Sequence, residues 1–172
     1  MAAKIIKLLS ILFSVLAVLA CGCGKHEGQK CDVKTDFSAD FTAEYRGLSL
    51  KGNVLSTRQG VCVIGLKQPE TLDGVEFCYR DNELEIRCDG MKASADEAYL
   101  PDAGFPSLLH SALKKASAGE YSPAQEDNAC KITLKAGEGL LTVDDGGFPQ
   151  SLAVDDADCE VTFENLTAER EK

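Results

Sequence analysis

The stretch that most restricts the fold runs from Phe37 to Tyr45, where Phe37, Ala39, Phe41, Ala43 and Tyr45 alternate with Ser38, Asp40, Thr42 and Glu44. A two-residue period sends successive side chains to opposite faces of a strand. One face is apolar and the other wettable, so the strand belongs to a sheet that is covered on one side only. Gly47 permits a turn, and the alternation resumes from Leu48 to Val54. Arg58-Gln59-Gly60 turns the chain again before a strand from Val61 to Leu66, which Pro69 closes because it has no N–H to give to a ladder.

A hairpin follows. Val75, Phe77 and Tyr79 alternate on one side of Asp81-Asn82, and Leu84, Ile86 and Cys88 on the other. With Asp81-Asn82 as a two-residue loop, Tyr79 faces Leu84, Phe77 faces Ile86, and Cys88 lies opposite Val75. Further strands are expected at Cys130 to Leu134, Leu140 to Val143, Ser151 to Val154 and Cys159 to Phe163, with Asp144 to Gly147 and Asp155-Asp156 as turns. Ser122 to Asn128 reads as a polar linker.

One segment has the helical period instead. Phe105, Leu108, Leu109, Ala112, Leu113 and Ala116 recur at the spacing of an apolar stripe suited to lying on a sheet. Pro106 suits an early helical position, Lys114 and Lys115 complement the last turn, and Gly119 ends it. His110 falls about 100 degrees from the middle of the stripe and is expected to be a half-solvated surface residue.

The N-terminus sets the compartment. Lys4 and Lys7 precede a short apolar run from Leu8 to Ala20, well under the roughly 20 residues of a spanning helix. It has the form of a secretory signal over residues 1–20. Val18-Leu19-Ala20-Cys21 resembles the bacterial lipobox, in which the cysteine is acylated and becomes the new N-terminus; the other reading is ordinary cleavage after Ala20. Acylated Cys21 would hold the chain on a lipid membrane at the extracytoplasmic face of the cell. Residues 21–30, rich in glycine and charge, then form a tether, residues 31–166 the folded domain and residues 167–172 a charged tail. Removing residues 1–20 takes away two lysines and no acid, so the formal charge of -10 becomes -12. That charge argues against nucleic acid as a partner.

Export favours disulfides. If Cys21 is acylated, seven cysteines remain, and Cys23 in the tether is the natural odd one out. Cys62 is opposite in parity to Val61 and Val63, and Cys78 to Phe77 and Tyr79, which makes Cys62 with Cys78 a candidate bridge between neighbouring strands. No cysteine spacing suits zinc, and there is no C-x-x-C. Neither G-x-S-x-G, H-E-x-x-H nor a phosphate-binding glycine loop occurs. The acidic pairs have the spacing of turns and not of a calcium loop. The chain is therefore expected to have no catalytic residue, no metal and no cofactor, and to be a monomer.

The order FSADFTAEYRGLSLKGN, then Gln68 to Phe77, the helix, and Gly147 to Leu152 leading to VTFENL resembles the lipoprotein-localisation-factor-like superfamily, most of all its lipid-anchored members from Gram-positive, Clostridia-type bacteria. The resemblance implies a mainly β (α+β) fold, an incomplete antiparallel β-barrel with one or more helices covering its concave face. It also implies a cavity for a lipid or lipoprotein acyl chain, lined here by Phe37, Phe41, Tyr45, Phe77, Ile86 and Val161, with Phe105 and Leu109 on the lid. The carrier members are soluble shuttles, whereas this chain carries an anchor, so shuttling does not follow. The alternative is a non-enzymatic surface interaction protein or accessory sensor whose apolar residues fill their own core.

Overall fold

A computed structural model describes residues 32–126 and 128–168. The leader, Cys21 and the tether lie outside the described residues. Six strands come first in the chain: β1 (Phe37–Tyr45), β2 (Leu48–Ser56), β3 (Cys62–Gln68), β4 (Glu76–Arg80), β5 (Glu83–Cys88) and β6 (Met91–Asp96). The helix α1 (Phe105–Ser117) follows, then β7 (Ser122–Pro123), β8 (Ala129–Leu134), β9 (Gly137–Val143), β10 (Pro149–Val154) and β11 (Cys159–Ala168). All are neighbours in one antiparallel sheet of order β6-β5-β4-β3-β2-β1-β11-β10-β9-β8-β7. It is an open sheet, not closed into a barrel.

That order explains the architecture. The first and last strands pair at the centre, Phe41 opposite Phe163 and Ala43 opposite Val161. From there two meanders grow outward to the edges β6 and β7. The chain crosses from one edge to the other once, through the segment that carries α1, so the helix is the crossover. α1 touches Tyr79 on β4 through His110 and also packs on β8. Strands far apart in the sheet therefore meet one helix, and the sheet curls around it.

Hairpin chemistry sets the registers on the β1–β6 side. Arg46-Gly47, Asp81-Asn82 and Asp89-Gly90 all have positive φ, as the primed two-residue turns require. They close on Tyr45 with Leu48, Arg80 with Glu83 and Cys88 with Met91. Tyr79 faces Leu84 and Phe77 faces Ile86, as the alternation predicts. The β4–β5 ladder ends at Glu76 with Arg87, one residue before Val75 and Cys88 would face each other, and on its other side Cys88 pairs with Met91 of β6. Residues Met91 to Asp96 form a strand that carries no large alternating side chains to announce it. Ser122-Pro123, read as linker, pairs with Lys131 and Cys130. At the C-terminus, Thr167 and Ala168 pair with Ser38 and Phe37, so β11 enters the segment read as a tail.

The core lies between the inward face of the sheet and α1. Phe37, Leu108, Leu109, Ile132, Leu141, Leu152 and Val161 are fully buried. Gly52 shows how tightly the centre is filled, because a β-carbon there would overlap the Gly65 carbonyl and come within 2.8 Å of the Phe41 ring. Backbone cannot yield as a side-chain tip can, and overpacking of this kind typically costs about 1–3 kcal/mol. Gly52→Ala is expected to lower the urea unfolding midpoint by at least that equivalent, and an unchanged midpoint would show that the β2–β3 approach is looser.

Candidate functional site

The candidate site is the interface between α1 and the concave face. α1 starts at Phe105 with Pro106 in its first turn and ends in Lys114 and Lys115, as its signals predict. Phe105 sits 5.5 Å from Phe41 and 5.9 Å from Tyr45, ring centre to ring centre. Tyr45 donates its hydroxyl to the Ala103 carbonyl at 2.7 Å, which pins the approach to the helix. At the other end the Lys114 ammonium reaches Glu97 at 2.9 Å and Asn82 at 3.2 Å.

The expected lining residues divide into two groups. Phe37, Phe41, Phe105, Leu109 and Val161 are buried, none more than 4 % exposed, and pack on one another and on α1. Side chains thus occupy the space beneath the helix. Tyr45, Phe77 and Ile86 are half-buried, packed against the same core beside Leu72 and Leu100. They form the half-buried margin of that core, and Leu48, Met91 and Tyr99 are exposed large apolar residues.

The expected Cys62–Cys78 bridge is not formed, and both thiols are free. The apolar face of β3 is Cys62, Ile64 and Leu66, not Val61 and Val63, so Cys62 opposes Tyr79 while Cys78 opposes Val63. The two sulfurs point to opposite faces of the sheet. Cys88 and Cys159 are also free, whereas Cys130 is disulfide-bonded. Burial pushes the Cys62 thiol up to about 12 and Cys159 to about 11, so both stay protonated and behave as small apolar groups.

His110 departs most from expectation. It is 6 % exposed, and its ring stacks on Tyr79 at 4.0 Å with 6° between the planes. A stripe computed against a flat sheet leaves His110 at the margin, but a sheet curled around the helix buries a wider arc. The Tyr79 hydroxyl, the Ser107 hydroxyl and both His110 nitrogens are buried and make no well-formed hydrogen bond among the described residues, although Ser107 lies near enough to Tyr79 to oppose part of the rise that burial imposes on the phenol. The nearest carboxylate, Glu97, stands 3.6 Å from His110 Nε2, beyond hydrogen-bond length. Beside them a cavity of about 270 Å³ opens near the end of α1, lined by Thr57, Arg58, Cys62, His110, Leu113 and Lys114 among others. Sequence alone gave no sign of this polar seam.

On the outer face, Asp144 Oδ1 accepts from the N–H groups of Gly146 and Phe148 at 2.8 and 2.9 Å, the work of a turn residue. Asp155 and Asp156 open a short 3-10 turn. No group of three His, Cys, Asp or Glu side chains suited to a metal occurs among the described residues. None of their helices is long and apolar enough to cross a membrane.

Burial lowers the His110 pKa from 6.5 to about 4, so the ring is neutral at pH 7. In the unfolded chain it takes up a proton below about 6.5, which the folded state resists. The contribution of His110 to stability is therefore complete above pH 6.5 and is lost as the pH drops from there toward 4, by on the order of 3 kcal/mol. His110→Phe, which keeps a ring on Tyr79, should flatten this part of the urea-midpoint profile relative to the wild type; parallel profiles would show that His110 is solvated.

No family model matches the chain, and no curated protein does. Among solved structures, an uncharacterised conserved protein from Thermus thermophilus aligns with a TM-score of 0.49 at 10% identity, over 82% of this chain and 83% of that one. A LolA superfamily protein from Nitrosomonas europaea aligns at 0.42 and 8% identity, over 85% and 90%. A DUF1329 family protein from Desulfovibrio piger aligns at 0.41 and 10%, over 81% and 88%. Likenesses this distant carry no argument about ligand or reaction.

Proposed function

We propose that this is an extracytoplasmic lipoprotein, held on the membrane through acylated Cys21, whose half-barrel takes a lipid or lipoprotein acyl chain beneath α1 by lifting the helix. The observation that carries this reading is the polar seam. Tyr79, Ser107 and His110 lie between helix and sheet without well-formed hydrogen bonds from the protein, and a buried polar group left unpaired weakens docking by about 1–3 kcal/mol. Lifting the helix returns all of them to water, while the apolar face left behind needs another cover. An acyl chain supplies one, at about 0.8 kcal/mol per buried methylene. Half-buried Phe77 and Ile86 offer it a point of entry at the margin of the core.

A second reading is a non-enzymatic interaction protein with a self-filled core. It is favoured by the mutual packing of Phe37, Phe41, Leu109 and Val161, each no more than 2 % exposed.

Native mass spectrometry of protein purified without detergent, with displacement of a fluorescent fatty acid, separates the two. Retained lipid and saturable displacement support the first reading, and Phe77→Asp should then weaken uptake at least ten-fold. No uptake by a fully folded wild type would leave the second. For the anchor, the mature protein should carry an acylated Cys21 by intact mass, and Cys21→Ser should release it from membranes; an unmodified, membrane-free wild type would contradict the attachment.

A further inference from the structure

The two edges of the sheet are unequal. β7 is two residues long and contains Pro123, which cannot donate. β6 has six residues, no proline, and ends the sheet with no strand beyond it among the described residues. Met91 to Ser94 are all exposed. The hairpin register decides which backbone groups face outward. The Asp89-Gly90 turn closes on Cys88 with Met91, so Met91, Ala93 and Ala95 exchange hydrogen bonds with β5. The N–H and C=O groups of Lys92, Ser94 and Asp96 therefore point away from the sheet.

We propose that β6 pairs antiparallel with β6 of a second copy of this chain, about a two-fold axis at Ser94. Centred there, Lys92 stands opposite Asp96 of the other copy, twice over, and Ser94 opposite Ser94. These are the residues whose backbone groups face outward, so every hydrogen-bonded position of the new ladder is filled. Ala93 meets Ala95 between them, and neither is large enough to obstruct. Lys92, Ser94 and Asp96 share one face of the strand, which puts the opposite charges side by side. Shifting the register by two residues in either direction sets Lys92 or Asp96 against serine and loses both ion pairs. A lysine on an exposed edge usually discourages pairing; Lys92 stands 3.7 Å from Glu85 of its own sheet and Asp96 accepts from the Ala98 N–H, and across the two-fold each gains the opposite charge as a further partner.

The contact joins two half-barrel sheets into one, in place of the monomer expected from the sequence. Five paired residues per copy make a small interface, far under the ~1,600 Å² of a standard one. The dimer is accordingly weak in dilute solution and gains from confinement on a surface. The acyl-chain reading does not enter into it.

Sedimentation equilibrium of the full mature protein in density-matched detergent, up to about 1 mM, tests the contact. The wild type is expected to show a monomer–dimer equilibrium. Lys92→Glu, which faces Asp96 with a like charge, should weaken it at least ten-fold, and Lys92→Glu with Asp96→Lys should bring it back to within about three-fold of the wild type. Ser94→Pro should abolish association, with circular dichroism checking that the sheet survives. A wild type that stays monomeric throughout, or a dimer indifferent to Lys92→Glu, would overturn the proposal.

Discussion

Everything in this molecule follows from an apolar sheet face that must be covered and a chain that crosses it only once. β1 and β11 pair at the centre, and their inward side chains Phe41, Ala43, Val161 and Phe163 share one buried core with the apolar face of α1. Because the crossover joins the two edges, the helix lies across the opening of the curl. Burying a side chain of the size of Leu109 contributes about 1.5–3 kcal/mol, so several such residues on one helix make its docking the main source of tertiary stability on this face.

The same interface contains its own opposition. A helix meant only to seal the core would present apolar residues on every buried position, yet Ser107 and His110 are buried on α1 and Tyr79 beneath it, without well-formed hydrogen bonds from the protein. The stack of His110 on Tyr79 recovers contact between ring faces, but it does nothing for the ring nitrogens or the phenol. The cover is held firmly at its ends, by Tyr45 on the Ala103 carbonyl and by Lys114 on Glu97 and Asn82. Its middle is the weaker part. That combination suits an element that opens and closes as a unit.

Much of this was legible beforehand. Strict alternation marks β1, and Asp81-Asn82 fixes the Tyr79–Leu84 register, because period and turn chemistry are local. The helix shows through its stripe and terminal signals for the same reason. β6 was not legible, since Met91-Lys92-Ala93-Ser94-Ala95-Asp96 offers small side chains and gains its place from β5. The Cys62–Cys78 pairing failed because either parity of Val61 to Leu66 reads as apolar, and only the neighbouring strands select Cys62, Ile64 and Leu66 as the inward set. His110 was misplaced for a reason of shape: helical periodicity gives an angle around an axis, while the curl of the sheet decides how wide an arc is buried.

On the proposed function, α1 is a separable cover over a more stable sheet. Native-state amide hydrogen exchange at neutral pH measures this directly, because local openings and global unfolding give different protection. Amides of α1 from Leu109 to Leu113 are expected to exchange through an opening about 2 kcal/mol or more less costly than that of the β1 and β11 amides paired at the centre of the sheet. Equal protection in helix and central strands would mean that α1 leaves only when the whole domain unfolds, and would contradict it.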